Sequence, residues 1–251
     1  AFSNVAAMFA LRRTVTRIAA LQTQNFALPL KVALLPFGSA GDVLPFIWLA
    51  RQLRARGHEP VLITASLFQR AADAAGIPFI PSGRDEEFKT LMRDPRLWKL
   101  GLGTKAVFEY AAQSAGQFPA ALRDLQAEKD PPELLLAPVT AFAARLAREK
   151  FGLPLVSVHL QPAVLLSAHD TPLIFPALPP LLKSLPVGLK RCLFRHGPNP
   201  LDLFGGPALR RLCRDQGVTA PRSFFREWWD SPDGSLLLFP EWFAAPQPDW
   251  P

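Results

Sequence analysis

The chain has two cysteines among its 251 residues, Cys192 and Cys213. Two isolated thiols give neither a metal-binding spacing nor a disulfide framework, so they are expected to be reduced, core or half-buried residues. No apolar run approaches the ~20 residues that a membrane-crossing helix needs. Acidic residues are absent before Asp42. The excess of basic residues, a formal charge of +7, is not interleaved with aromatics in a nucleic-acid-binding pattern, which argues against nucleic acid as a partner. No internal repeat is present, and the G-x-G-x-x-G spacing of a dinucleotide-binding loop is missing.

What is present is a globular composition, 49% hydrophobic and 20% charged, with proline concentrated in the second half, in stretches such as "FPALPP" and "APQPDWP". Two regions are locally basic: residues 1–30 and the segment from Lys183 to Arg222. Either could face anionic lipid or a nucleotide diphosphate. Residues 1–29 are expected to form an N-terminal arm, disordered or helical, ahead of one domain over 30–251.

From Lys31 onward the pattern alternates. "KVALLP" is a short continuous apolar run of the kind expected for a parallel strand buried on both faces. A helical pattern from Val43 to Gly57 follows, then the strand "PVLITA", a helix ending at Gly76 and a strand running out at Gly83. "ELLLAP", "LPLVSVHL" and "GSLLLFP" repeat the strand signal, with helical insertions at 103–129 and in the block from Leu178 to Asp230. The fold class predicted is α/β, a Rossmann-like parallel sheet with flanking helices and a helical insertion.

In such a sheet, ligands bind outside the carboxyl ends of the strands, near the loop between the first strand and first helix. That loop is "PFGSAGDVLP", residues 36–45. Gly38 and Gly41 would let its backbone turn sharply and approach a ligand, while Asp42 suits either a helix cap or a chemical role. The second strand ends in "TAS", without the acidic residue that would hold a ribose. Ser66 with Arg70 suits a phosphorylated ribose only weakly, so a nucleotide-cofactor oxidoreductase is the least supported class. His58 falls in the turn after the first helix, at the far end of the sheet, and reads as structural.

The run from Leu34 to Gly83 resembles the N-terminal half of GT-B glycosyltransferases that use nucleotide sugars, the antibiotic, sterol and lipid glycosyltransferases in particular. The family's G-S/T-x-G-D-V-x-P loop and following R-G-H-E/D turn correspond to Gly38, Ser39, Gly41, Asp42, Val43, Pro45, Arg56, Gly57, His58 and Glu59. "DPRLW", "LLSAH" and "LFPEWFAAPQPDWP" are similar to segments of the rhamnosyltransferases of rhamnolipid assembly, so the resemblance runs from Leu30 to Pro251.

The resemblance implies an inverting hexosyltransferase with a hydrophobic hydroxyl acceptor, such as a lipid or sterol, bound in this half. A UDP- or dTDP-sugar co-substrate would be held by a C-terminal domain that no segment here resembles; no metal or other cofactor is implied. It makes Asp42 the catalytic base, with Gly38, Ser39 and Gly41 around the acceptor. Phe37, Phe46 and Trp98 are candidates to line an apolar acceptor channel, and His159, at the ligand-side end of its strand, and His169, in a long loop, to contact the acceptor. The expected setting is cytoplasmic, with peripheral contact at the inner face of the membrane. A non-catalytic acceptor-binding module or partner subunit remains the alternative.

Overall fold

In the computed structural model, residues 29–83, 85–99, 102–127, 130–171, 182 and 184–251 are described. The proposed N-terminal arm therefore lies, apart from Pro29, outside the described residues. So does the proline-rich stretch 172–181.

Six parallel strands form one sheet: β1 (Lys31–Leu34), β2 (Glu59–Thr64), β3 (Phe79–Pro81), β4 (Leu134–Ala137), β5 (Leu155–His159) and β6 (Ser235–Leu237), in spatial order β3-β2-β1-β4-β5-β6. Ala33 pairs with Val61 of β2 on one side and with Leu135 of β4 on the other. The chain thus winds outward from β1 in one direction, returns, and winds out from β4 in the other. The gap between β1 and β4 is the switch point where open α/β sheets bind ligands.

Helices α1 (Ala40–Ala55) and α2 (Gln69–Ala75) cover one face. The other face is covered by α4 (Leu102–Ala127), α5 (Phe142–Phe151), α7 (Pro200–Asp215) and α8 (Phe224–Trp228). Helices α3 (Asp85–Met92) and α6 (Val187–His196) complete the described set. Because successive side chains of a strand point to opposite faces, β1 feeds both cores. Val32 and Leu34 pack under α1 and α2, while Ala33, followed by Leu35, joins the α4, α5, α7 and α8 side.

The second core is built around close helix contacts. The buried face of α4 is rich in alanine, with Ala106, Ala111, Ala112 and Ala115 nearly inaccessible, which lets α7 approach. A Cβ at Gly205 of α7 would stand 2.5 Å from the Phe108 ring, closer than carbon atoms can sit, so only glycine fits. Asp202 of α7 caps α8: its carboxylate accepts hydrogen bonds from the Ser223 hydroxyl and the Phe224 and Phe225 N–H groups.

Sequence periodicity starts the first helix at Val43, but the structure starts it at Ala40. The reason is a capping box: Ser39 is the N-cap, and Asp42, third residue of the helix, reaches back to it. Cys213 is buried and Cys192 exposed, both free. Burial, reinforced by the charge of Glu149, pushes the Cys213 thiol up to about 11, which keeps it an unreactive core group.

Candidate functional site

The β1–α1 loop lies at the carboxyl edge of the sheet, beside the switch point. Gly38 is the residue that turns it, with φ at 129°, a region that L side chains rarely adopt. A Cβ there would also stand 2.3 Å from Asp42 Oδ2. Gly41 differs from its expected role. It lies within α1 without a positive φ, and a Cβ there would meet only Ser39 Oγ, at 3.6 Å. The turn rests on Gly38 alone.

Asp42 is held on one oxygen. Oδ2 accepts from the Ser39 backbone N–H at 2.7 Å and from the Ser39 hydroxyl at 2.9 Å. Oδ1 has no hydrogen-bond partner among the described residues. The N-terminal end of α1 adds a favourable field for negative charge. One carboxylate oxygen is thus fixed and the other is open to accept a hydrogen bond.

Beside this loop is a narrow crevice formed by the ends of the first three strands and by α3 and α4. It is lined by Pro36, Phe37 and Gly38, by Thr64 and Ala65, by Ser82 and Gly83, and by Phe88, Tyr110 and Ser114. One wall is aromatic: the Phe37 and Tyr110 rings are 5.4 Å apart between centroids and those of Phe88 and Tyr110 6.4 Å. Hydrogen bonds tie the strand ends together. Thr64 Oγ1 donates to the Pro36 carbonyl at 3.0 Å, and the Ser82 N–H donates to the Thr64 carbonyl at 2.8 Å.

Of the candidate acceptor contacts, Phe37 and Gly38 line this crevice, and Ser39 follows them in the loop. Phe46 does not line it. It is fully buried in the core beneath α1, because the helical period that brings Val43 and Ile47 inward carries Phe46 with them. Trp98 closes a short 3-10 turn, Pro95–Trp98; its side chain lies outside the described residues. Its neighbour Arg96 is taken up by Asp94 and Glu109.

His159 is at the carboxyl end of β5 as expected, yet only 1% exposed. Its Nε2 stands 3.0 Å from Asp230 Oδ1, within ion-pair distance but off the line of a hydrogen bond, leaving both atoms without such a partner. His169 is exposed in the loop after β5, with Nε2 2.9 Å from an Arg191 nitrogen. That loop is pinned to the C-terminal segment: Asp249 accepts from the Ser167 hydroxyl and the Ala168 N–H, each at 2.7 Å. Burial opposes the charge on Asp249, but these hydrogen bonds and the nearby His169 outweigh it and hold the carboxyl below its usual range. His58 accepts from the Leu30 N–H, a structural contact before β1.

Thr64, Ser82, Gly83, Phe88, Tyr110 and Ser114 were not singled out by sequence. A strand ending at Gly83, parallel to one ending near Gly38, was the available signal. The contribution of α4 had none, because its place over the strand ends is a tertiary fact. Among the described residues no cluster of His, Cys, Asp or Glu could hold a metal ion.

Sheet order and flanking helices give the Rossmann-like architecture of the N-terminal half of the GT-B fold. Residues 32–125 match the glycosyltransferase family 28 N-terminal domain. A sterol 3-beta-glucosyltransferase of Arabidopsis thaliana, UGT80B1, is 43% identical over 56 residues, 22% of this chain and 9% of that protein. Among solved structures, the kitacinnamycin glycosyltransferase superimposes over 88% of this chain with a TM-score of 0.55 and 21% identity, covering 48% of that chain. SsfS6 of Streptomyces sp. SF2575, solved with thymidine diphosphate, gives a TM-score of 0.50 and 17% identity over 77% of this chain and 47% of its own. The chain thus spans about half the length of these structures and aligns with a small part of the curated relative.

Gly38→Ala is expected to destabilise the fold by about 1–2 kcal/mol, because it combines a disfavoured φ with a collision against the Asp42 carboxylate. Chemical denaturation measures this, and an unchanged midpoint would mean that the loop relaxes freely.

Proposed function

We propose that this chain is the acceptor-binding half of a nucleotide-sugar-dependent, inverting glycosyltransferase acting on a hydrophobic hydroxyl acceptor, with Asp42 as general base. The observation that carries the reading is the Asp42 carboxylate: Oδ2 is held by Ser39 while Oδ1 has no partner, beside an aromatic crevice at the carboxyl edge. Oδ1 takes the proton from the acceptor hydroxyl as its oxygen forms a bond to the anomeric carbon. The bond from that carbon to the nucleotide diphosphate breaks on the opposite side, and its electron pair leaves with the diphosphate. Positioned base catalysis of this kind contributes roughly 10²–10⁴ in rate.

Thymidine diphosphate in SsfS6 supports a nucleoside diphosphate sugar as donor, and the sterol glucosyltransferase relative supports a lipid or sterol class of acceptor. Phe37, Gly38 and Ser39 contact that acceptor in this reading, and His169 flanks it. The setting is cytoplasmic, at the inner face of the membrane. No helix among the described residues is long and apolar enough to cross a bilayer, and contact is made through α6, where exposed Leu189 and Leu193 accompany exposed Arg191 and Arg195.

The chain spans about half of the solved relatives, which supports a donor site outside these 251 residues. Calorimetry on the purified chain is therefore expected to give a Kd for UDP- or dTDP-sugars no tighter than about 1 mM, roughly 4 kcal/mol of binding free energy. Micromolar binding would overturn the assignment of donor and acceptor to separate halves.

A further inference from the structure

Resting on the placement of the chain at a membrane face, we propose that α6 and α7 together form a docking surface for an anionic lipid bilayer, with arginines on the head groups and leucines on the acyl region beneath them. The starting point is a helix that its own domain hardly holds. Of the ten residues of α6 only Lys190 is buried, although a short helix draws most of its stability from an apolar face packed on something else. Leu189 and Leu193, four residues apart on one flank, are instead 47% and 41% exposed. What fastens α6 is polar: Arg226 donates to the Phe194 and Gly197 carbonyls, and Arg191 to His169.

The surface continues onto α7. A three-residue connection joins the two helices, and both meet the first turn of α8, where Arg210 lies over the Phe224 ring, 5.8 Å from its centroid, beside the Arg226 that holds α6. Leu203, Arg210 and Arg214 recur at helical spacing along one exposed line of α7. Charge decides what covers such a face. From Val187 to Arg222 the chain has seven Lys or Arg residues against two acids, Asp202 and Asp215. Among the described residues none of Arg195, Arg210, Arg211, Arg214 and Arg222 has a carboxylate within ion-pair distance, whereas Arg96 and Arg148 are each paired with an aspartate. A protein partner would need a matching run of acids, and a nucleic acid offers nothing to three exposed leucines. The cytoplasmic leaflet supplies both, negative charge across a plane and apolar depth below it.

Co-sedimentation of the purified chain with vesicles tests this without any turnover. At low salt, vesicles of equal parts phosphatidylcholine and phosphatidylglycerol should bind the chain about 10-fold or more tighter than vesicles of phosphatidylcholine alone, and the difference should shrink as salt screens it. Arg195→Glu with Arg214→Glu should remove that preference. Arg51→Glu with Arg70→Glu, at exposed positions of α1 and α2, changes the net charge equally and should leave it. Leu189→Ser with Leu193→Ser should weaken binding to the anionic vesicles by about 10-fold, and all three pairs, being exposed, should keep the thermal midpoint near wild type. Equal binding to both vesicles overturns the proposal, as does a preference that the α1–α2 pair removes as fully as the α6–α7 pair. So does tighter binding to a DNA duplex than to anionic vesicles, or a chain that ignores vesicles and sediments as a dimer. A joined enzyme that turns over but ignores anionic vesicles counts against this surface alone, whereas a fully active Asp42→Asn enzyme counts against the base.

Discussion

Asp42→Asn is expected to lower turnover by roughly 100-fold or more in an enzyme formed by joining this chain to a nucleotide-sugar-binding domain. The substitution leaves the helix start in place. Asp42 contributes to α1 by accepting from the Ser39 N–H and hydroxyl through Oδ2, and the asparagine amide oxygen can accept the same bonds. What it cannot do is take a proton at neutral pH. Apparent acceptor affinity should change far less than turnover, because side-chain shape is kept. Asp42→Ala removes the capping interaction as well, so its thermal midpoint should also fall, corresponding to about 1 kcal/mol. If Asp42 only capped the helix, Asp42→Asn would retain both stability and rate. A fully active Asp42→Asn enzyme excludes the base.

The second large effect is expected far from the loop. Asp233, between α8 and β6, makes a two-point pair with Arg148 of α5, at 2.6 Å to Nε and 3.1 Å to a terminal nitrogen, and accepts from the Leu155 N–H at 3.1 Å. It therefore fastens α5, the start of β5 and the approach to β6 at one point. Burial works against its charge, but the hydrogen bonds from Arg148 and Leu155 and the charges of Arg148 and Arg145 outweigh it and hold the carboxyl below its usual range. Asp233→Ala strands the guanidinium and the strand N–H, and should destabilise by about 2–3 kcal/mol, between exposed and fully buried pairs. For a chain of this size that lowers Tm by roughly 4–12 °C.

The pH dependence has a definite sign. Because the folded-state pKa is depressed, the stabilisation is complete above the unfolded value of about 3.9 and is lost as pH falls through the folded one. The gap between wild type and Asp233→Ala should thus be constant from pH 5 to 7 and narrow below about pH 4. A gap that stays constant into the acid range would show that Asp233 acts by packing alone.

Strands were legible because each β-run is continuously apolar and bounded by glycine or proline, as with "KVALLP" and the run ending at Gly83. The β1–α1 loop motif was legible because Gly38, Ser39 and Asp42 act within a few residues of one another, where local geometry dominates. Phe46 was placed near the site by its closeness to the loop, but the apolar period it shares with Val43 and Ile47 carries it into the core. Tyr110 and Ser114 were invisible because they reach the crevice through the packing of a 26-residue helix across the sheet. His159 was legible as the end of a strand, and it pairs with Leu237 of β6 at the last residue of β5; its burial, set by how β6 and Asp230 pack against it, was not.

Thr64 joins three strand ends at once, through its hydroxyl to Pro36 and through its carbonyl to Ser82. A rim braced in this way is shaped before any ligand arrives, so little of the ordering entropy of binding falls on the protein. What remains belongs to whatever binds at this rim, so among partners of equal surface the more rigid one keeps more of its contact energy.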